Sequence, residues 1–85
     1  MEGHKLSTVT SSTAQLATFS TGMQQIYVTS NQAMHVSFTG TATSSSFMLP
    51  ANTPFRFDFR GLNVNSVSCI ADSTSGDVYI LGASN

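Results

Sequence analysis

The stretch Phe55-Arg56-Phe57-Asp58-Phe59-Arg60 (FRFDFR) decides the fold class, because apolar and charged residues alternate along its whole length. Successive side chains of a β-strand point to opposite faces. The pattern therefore places three Phe side chains on one face, which predicts a core-facing strand, and Arg56, Asp58 and Arg60 on the other. Because only 8% of the residues are charged, the row of three charges is the unusual part of the stretch.

The charged face has two interpretations. It is a solvated face in which Asp58 moderates the repulsion between two arginines, each surface pair contributing about 0–1 kcal/mol. Alternatively, it is a contact with another subunit, because Arg is enriched at interfaces and its planar fork binds carboxylates through two hydrogen bonds. Arg56 and Arg60 are two of the three cationic residues in the chain, which is the reason to consider the contact.

The same period of two recurs on both sides of this stretch, and no segment has helical periodicity. Short strands spaced about 8 to 10 residues apart, with turn residues between them, are typical of antiparallel sandwiches and barrels. We therefore expect an all-β fold, a small antiparallel β-sandwich of jelly-roll type with about eight short strands. The predicted strands are 6–10, 15–19, 22–30, 33–40, 47–49, 55–60, 62–72 and 77–82.

Two connections are predicted as hairpins. Segments 22–30 and 33–40 are separated by two or three polar residues, a length typical of a hairpin loop. The turn STSG at 73–76 is bracketed by Asp72 and Asp77, which could hold a calcium ion or serve turn geometry and solubility.

Two further segments are predicted to contact partners. Residues 1–12 are polar and are expected to form a flexible N-terminal arm that orders on contact with a partner, beside a single β-sandwich domain at 13–85. Residues 39–46 contain no large apolar side chain and are expected to form a mobile or partner-facing loop. Its candidate contact residues are Thr41, Thr43, Ser44 and Ser45.

The composition restricts the partners. The net charge is −1 and only three residues are Lys or Arg, too few for a nucleic-acid or anionic membrane surface. A domain of this size buries only about 60 to 65% of the surface its unfolded chain exposes, and the single Cys69 cannot form an internal disulfide. Association with other copies is the expected support. No membrane span or signal segment is predicted, so we expect synthesis in a reducing cytoplasm.

No catalytic motif is present among G-x-S-x-G, the P-loop, G-x-G-x-x-G and H-E-x-x-H. His4 falls in the predicted arm and His35 on the outward face of a strand, so both are interpreted as ordinary surface histidines. Cys69 lies in an apolar segment and is interpreted as a small buried hydrophobe. We expect no enzyme, no cofactor and no metal site. A ligand-binding module, with Tyr27, Tyr79 or His35 exposed to a sugar, is the alternative.

The run LPANTPFRFDFRG at 49–61, followed by SVSCIADSTSGDVYILGAS at 66–84, resembles small virion structural proteins of tailed bacteriophages. The similarity spans about residues 22–83 and includes the IYVT strand and the closing G-x-V-Y strand. Because Arg60 and the Asn-rich RGLNVNS depart from the family pattern, a shared partner surface does not follow from the resemblance.

The resemblance implies a β-sandwich subunit present in many copies. It would bind the major capsid protein or another virion subunit, as a decoration or cement protein on the capsid or as a neck or tail adaptor. It implies no catalytic residues. We expect a homo-oligomer, with a trimer favoured, located in a virion that is assembled in the host cytoplasm.

Overall fold

The computed structural model describes residues 1–84, which form eight β-strands joined by turns and loops. None of the described residues forms a helix long and apolar enough to cross a membrane. The all-β class predicted from the period of two is confirmed. The strands are β1 (Glu2–Val9), β2 (Gln15–Met23), β3 (Gln25–Ser30), β4 (Met34–Ser37), β5 (Phe47–Leu49), β6 (Phe55–Asp58), β7 (Val64–Ala71) and β8 (Gly76–Ala83).

The strands form two four-stranded antiparallel sheets. Sheet I has the order β1-β8-β3-β6, and sheet II has the order β2-β7-β4-β5. The pairing is nested, because β1 pairs with β8, β2 with β7, β3 with β6 and β4 with β5. Two further pairings, β3 with β8 and β4 with β7, join these ribbons into the two sheets.

The core lies between the two sheets and is built from alternate residues of their strands. Ile26 and Val28 on β3, and Met34 and Val36 on β4, are buried as the alternation predicted. Cys69 is also buried, and burial raises the pKa of its thiol to about 12, so it is a protonated core side chain at neutral pH. The fully buried set is completed by Val9, Leu49, Val67 and Val78.

The three Phe side chains of FRFDFR point toward the core, as predicted, but are only half-buried. The reason is that β6 is the edge strand of sheet I. Their rings form one aromatic cluster with Phe38 and with Phe47, which is 49% exposed. The strand ends at Asp58, earlier than predicted, and Arg60 lies in the following turn beside Gly61, whose φ is 73°.

Neither predicted hairpin is present. β3 belongs to sheet I and β4 to sheet II, so the connection at 31–33 crosses from one sheet to the other. The turn at 72–75 likewise joins β7 in sheet II to β8 in sheet I. Both predictions were wrong because a short polar link is compatible with either a hairpin or a crossing, and loop length alone does not distinguish them.

The predicted N-terminal arm is also corrected. Glu2–Val9 forms β1 and pairs along β8, from the Glu2–Gly82 pair to the Val9–Gly76 pair. Leu6 and Val9 contribute to the core. The strand predicted at 6–10 therefore begins earlier, at Glu2. Only these two large apolar residues mark it, and the polar composition of 1–12 favoured an arm instead.

Side-chain hydrogen bonds join the edges of the two sheets at β1 and β2. The Glu2 carboxylate accepts hydrogen bonds from the Ser20 N–H at 3.0 Å and the Ser20 hydroxyl at 2.7 Å, and contacts the His4 ring at 2.6 Å. The Ser20 hydroxyl, and after it the Ser20 N–H and the His4 ring, hold the pKa of Glu2 at about 2, below its usual 4.5. The Gln15 amide completes the junction by donating to the carbonyls of Ser7 and Thr8.

Replacing Glu2 with Gln should lower the thermal midpoint at neutral pH. Because the folded-state pKa is depressed, the Glu2 contribution is present above pH 4.5 and is lost as the pH falls toward about 2. As the pH falls over this interval, the thermal midpoint of the variant should therefore fall less steeply than that of wild type, in thermal melts followed by circular dichroism. Ser20→Ala should cause part of the same loss, and the double variant should lose less than the sum of the two single variants. An unchanged acid decline in Glu2→Gln would contradict this assignment.

Candidate functional site

The outer face of sheet I carries three exposed apolar side chains on two neighbouring strands. Tyr27 on β3 and Tyr79 and Leu81 on β8 are 37%, 46% and 38% exposed. Tyr27 lies directly opposite Leu81, and Tyr79 lies opposite Thr29 one step along the ladder. Side chains opposite each other on one sheet face are in contact range, so Tyr27, Tyr79 and Leu81 form one surface, named here the tyrosine face.

A depression of about 480 Å³ lies on the tyrosine face. It extends over β1, where Gly3 pairs with Leu81 and has no side chain to fill the space beside it. Lys5, Thr29 and Pro54 are also at its wall. Its lining is mostly apolar, which suits an apolar or aromatic group of a partner.

Cations border the tyrosine face on both sides. The Lys5 ammonium on β1 lies 5.5 Å from the centre of the Tyr79 ring and 3.9 Å from an Asp77 carboxylate oxygen. On the other side, Arg56 lies opposite Tyr27, and its guanidinium is 3.6 Å from the Asp58 carboxylate. Each cation therefore has an acidic partner, and the face is not a single-sign electrostatic patch.

The predicted row of three charges is thus only partly assembled. Arg56 and Asp58 share the outer face of β6, while Arg60 lies in the turn that follows. The contact between Arg56 and Asp58 joins side chains that are 54% and 39% exposed, so solvent screens it. Their position next to Tyr27 makes them the rim of the tyrosine face.

The 39–46 loop lies across the outer face of sheet II, on the opposite side of the molecule from the tyrosine face. The Ala42 N–H donates to the Ser68 hydroxyl at 2.9 Å, and Ala42 is buried. A turn closes between Thr43 and Ser46, with the Ser46 N–H donating to the Thr43 carbonyl at 3.0 Å and the Thr43 N–H to the Ser46 hydroxyl. The candidate contact residues of this loop, Thr41, Thr43, Ser44 and Ser45, are all exposed, but they form no common site with Arg56 and Asp58.

His35 is not the surface histidine that the sequence indicated, since it is only 6% exposed. Its side chain does point to the outer face of sheet II, as the alternation requires. One ring nitrogen, Nδ1, lies 3.0 Å from the Ser46 carbonyl, and the other, Nε2, lies 2.8 Å from an Asp72 carboxylate oxygen. The 39–46 loop therefore covers a position that a sheet face alone would leave exposed.

Both His35 ring nitrogens face acceptor oxygens, an arrangement that suits the imidazolium, in which both nitrogens are donors. The Asp72 carboxylate, and after it the Ser46 carbonyl, raise the pKa of His35 above its usual 6.5, against burial, which lowers it. His35 thus links the loop to the segment after β7.

The two turn acids have structural partners. Asp72 accepts from His35, and Asp77 accepts from the Thr8 N–H at 2.9 Å. In residues 1–84, no three His, Cys, Asp or Glu side chains come together as a metal ion would require. The calcium interpretation of this turn gains no support.

The sequence missed two members of the site. Leu81 was placed in a strand without a role, although the alternation of Tyr79 and Leu81 in DVYILG already places both on one face. Lys5 was assigned to the flexible arm, and only the pairing of β1 with β8 brings it to Tyr79.

No known family, curated protein or solved structure matches this chain.

His35 is expected to stabilise the protein most at low pH. Because its folded-state pKa is raised, the contribution is fully present below pH 6.5 and is lost as the pH rises through the folded-state value. His35→Ala should cost about 1.5–3 kcal/mol, the range for hydrogen bonds to charged groups. Asp72→Asn should lower the pKa of His35, measured by NMR titration of its ring protons. An unshifted titration in Asp72→Asn would show that the carboxylate does not hold the proton.

Proposed function

We propose that the protein is a non-enzymatic structural subunit of a tailed-phage virion that binds the capsid surface in many copies. The resemblance of 22–83 to small virion proteins is the reason for the virion, and the tyrosine face is the reason for a binding role. Its partner is the major capsid protein or another virion subunit. It is assembled into the particle in the host cytoplasm.

The strand order supports the jelly-roll form of the proposed subunit. In a jelly roll, a long antiparallel hairpin of the chain is rolled into two sheets, so strands pair from the ends of the chain inward. The nested pairing of β1 with β8 through β4 with β5 has this form. The fold by itself carries no function, because jelly rolls occur in capsid subunits and in sugar-binding proteins alike.

The observation that carries the proposal is the exposure of Tyr27, Tyr79 and Leu81 together on one rigid sheet face. Tyr is enriched at the energetically dominant positions of interfaces, since it offers a large contact area and a polar end. Sheet II also exposes an apolar side chain, Leu16 at its β2 edge, but the depression beside it has a more polar lining than the depression on the tyrosine face, and the 39–46 loop and His35 occupy part of this outer face. The tyrosine face is accordingly the proposed capsid-binding surface.

A neck or tail adaptor would differ from a capsid-binding subunit only in which virion subunit it binds and in the symmetry of the assembly. A sugar-binding module is the second candidate, and the position of Tyr27 and Tyr79 beside one depression is the observation in its favour. Sugars are usually held by stacking together with several directed hydrogen bonds. The mostly apolar lining of the depression therefore favours a protein partner.

Replacing Tyr27 and Tyr79 with Ser should weaken binding to intact capsids by about tenfold or more, because two anchoring side chains are removed. Capsids of the phage that carries the gene would be mixed with the protein, pelleted and analysed for bound fraction against concentration. The matched control is Leu16→Ser, which removes a side chain that is 59% exposed on the outer face of sheet II.

Binding at a fixed stoichiometry that the tyrosine variant loses and Leu16→Ser keeps would support the proposal. Wild-type protein that stays in the supernatant would reject capsid binding. If the same protein bound a glycan on an array through Tyr27 and Tyr79, the sugar-binding candidate would replace it.

A further inference from the structure

The free edge of β6 has a defined pattern of backbone groups. The Phe59 N–H donates to the Gln24 carbonyl at 2.7 Å, and the same register pairs β6 with β3 residue by residue. In an antiparallel ladder, every second residue directs its N–H and C=O to a given neighbour. Phe57 therefore directs its N–H and C=O to β3. Arg56 and Asp58 direct theirs to the opposite side, where residues 1–84 provide no further strand of sheet I.

We propose that β6 pairs antiparallel with β6 of a second copy of this chain, about a twofold axis at Phe57. This joins two four-stranded sheets into one continuous sheet of eight strands. Arg56 then lies opposite Asp58 of the partner subunit, and Asp58 lies opposite Arg56 of the partner subunit. In each such pair the two residues exchange both backbone hydrogen bonds.

The charges select this register among those that the backbone allows. The outward groups of both strands also meet when the axis lies at Arg56 or at Asp58, but those registers place Arg opposite Arg or Asp opposite Asp. Opposite charges in directly facing positions stabilise a strand pair and like charges destabilise it. Within Phe55–Phe59 (FRFDF), only an axis at Phe57 places each charged residue opposite a residue of the opposite charge.

The apolar face of β6 agrees with the same register. Phe57 would meet its own counterpart, and Phe55 would meet Phe59 of the partner subunit, on the face that points to the core. These side chains are half-buried in the single chain and belong to the aromatic cluster that includes the exposed Phe47. A second copy would cover the open side of this cluster with aromatic rings, which pair favourably across strands.

Other features of the fold favour β6 over the remaining edge strands, of which β5 has only three residues. The β1 and β2 edges are already joined by the hydrogen bonds of Glu2 and Gln15. Pro54, which lacks an N–H, precedes β6, and the turn at Arg60 follows it. The contact between strands is therefore limited to residues 55–59. So short a segment allows few registers, and a twofold contact closes after two copies.

This dimer refines the homo-oligomer part of the proposed function and replaces the expected trimer, because a twofold contact at β6 closes after two copies. It does not depend on capsid binding, which the pelleting experiment tests separately.

The test is the mass of the wild-type protein in solution, measured by light scattering at about 0.1 mM chain. We expect about 18 kDa, twice the chain mass of 9.0 kDa. Amide exchange measured by NMR should show that the N–H groups of Arg56 and Asp58 become protected as the concentration rises. A mass of 9.0 kDa, a mass of about 27 kDa, or unprotected Arg56 and Asp58 amides in the oligomer would each overturn the proposal.

Charge variants test the register. Arg56→Asp alone and Asp58→Arg alone each place like charges opposite each other and should raise the dimer dissociation constant by about tenfold. The double variant R56D/D58R restores opposite charges and should return it to within about threefold of wild type. Since both side chains are exposed on the outer face, circular dichroism should show a folded protein in all three. A double variant as weak as the single variants would overturn the register.

Discussion

The nested pairing of the two halves of the chain is the constraint on which the rest of the structure depends. β8 occupies an inner position of sheet I, between β1 and β3, so the first and last strands of the described chain are hydrogen-bonded neighbours. Almost every strand contact therefore joins residues distant in sequence, and each closes a long loop at an entropic cost. Such non-local pairing is typical of slow folding. It also explains why a strand as polar as β1 is needed, since without it one edge of β8 would be unpaired.

The period of two in the sequence was sufficient to predict strands, because a strand that buries one face has apolar residues at alternate positions. It did not predict which strands pair. The links at 31–33 and 72–75 are as short as hairpin loops, and only the shared core between the two sheets makes them crossings. Only the second half of β1 was predicted, as the strand 6–10. Its first half escaped prediction because its support comes from Glu2 and Ser20, a pair of side chains that no local pattern connects.

The candidate site shows the same division between local and long-range information. Tyr27 and Tyr79 were recognised as exposed aromatic residues, but their position beside each other follows from the pairing of β3 with β8. His35 was correctly placed on an outer face and wrongly expected to be exposed. Its burial depends on the 39–46 loop, whose hydroxyl-rich sequence resembles a solvent-exposed segment. The loop is instead attached to the sheet at Ala42 and Ser46.

The two outer faces and the free edge of β6 therefore differ in how much apolar area they expose and in whether their polar groups are paired. The outer face of sheet II is partly covered by the chain itself, with its buried polar groups paired. The tyrosine face leaves apolar area exposed. Within the described part of the chain, the β6 edge leaves backbone donors and acceptors without partners in the sheet. If β6 pairs with its own copy, the sheet becomes continuous and the two tyrosine faces lie on the same side of it. The dimer would then bind a repetitive surface through two tyrosine faces at once, even if each contact is weak. The second binding event within one complex strengthens attachment without any new kind of contact. In the proposed dimer, the alternation in FRFDFR would serve both requirements, since its Phe face closes the core and its charged face would specify how two copies meet.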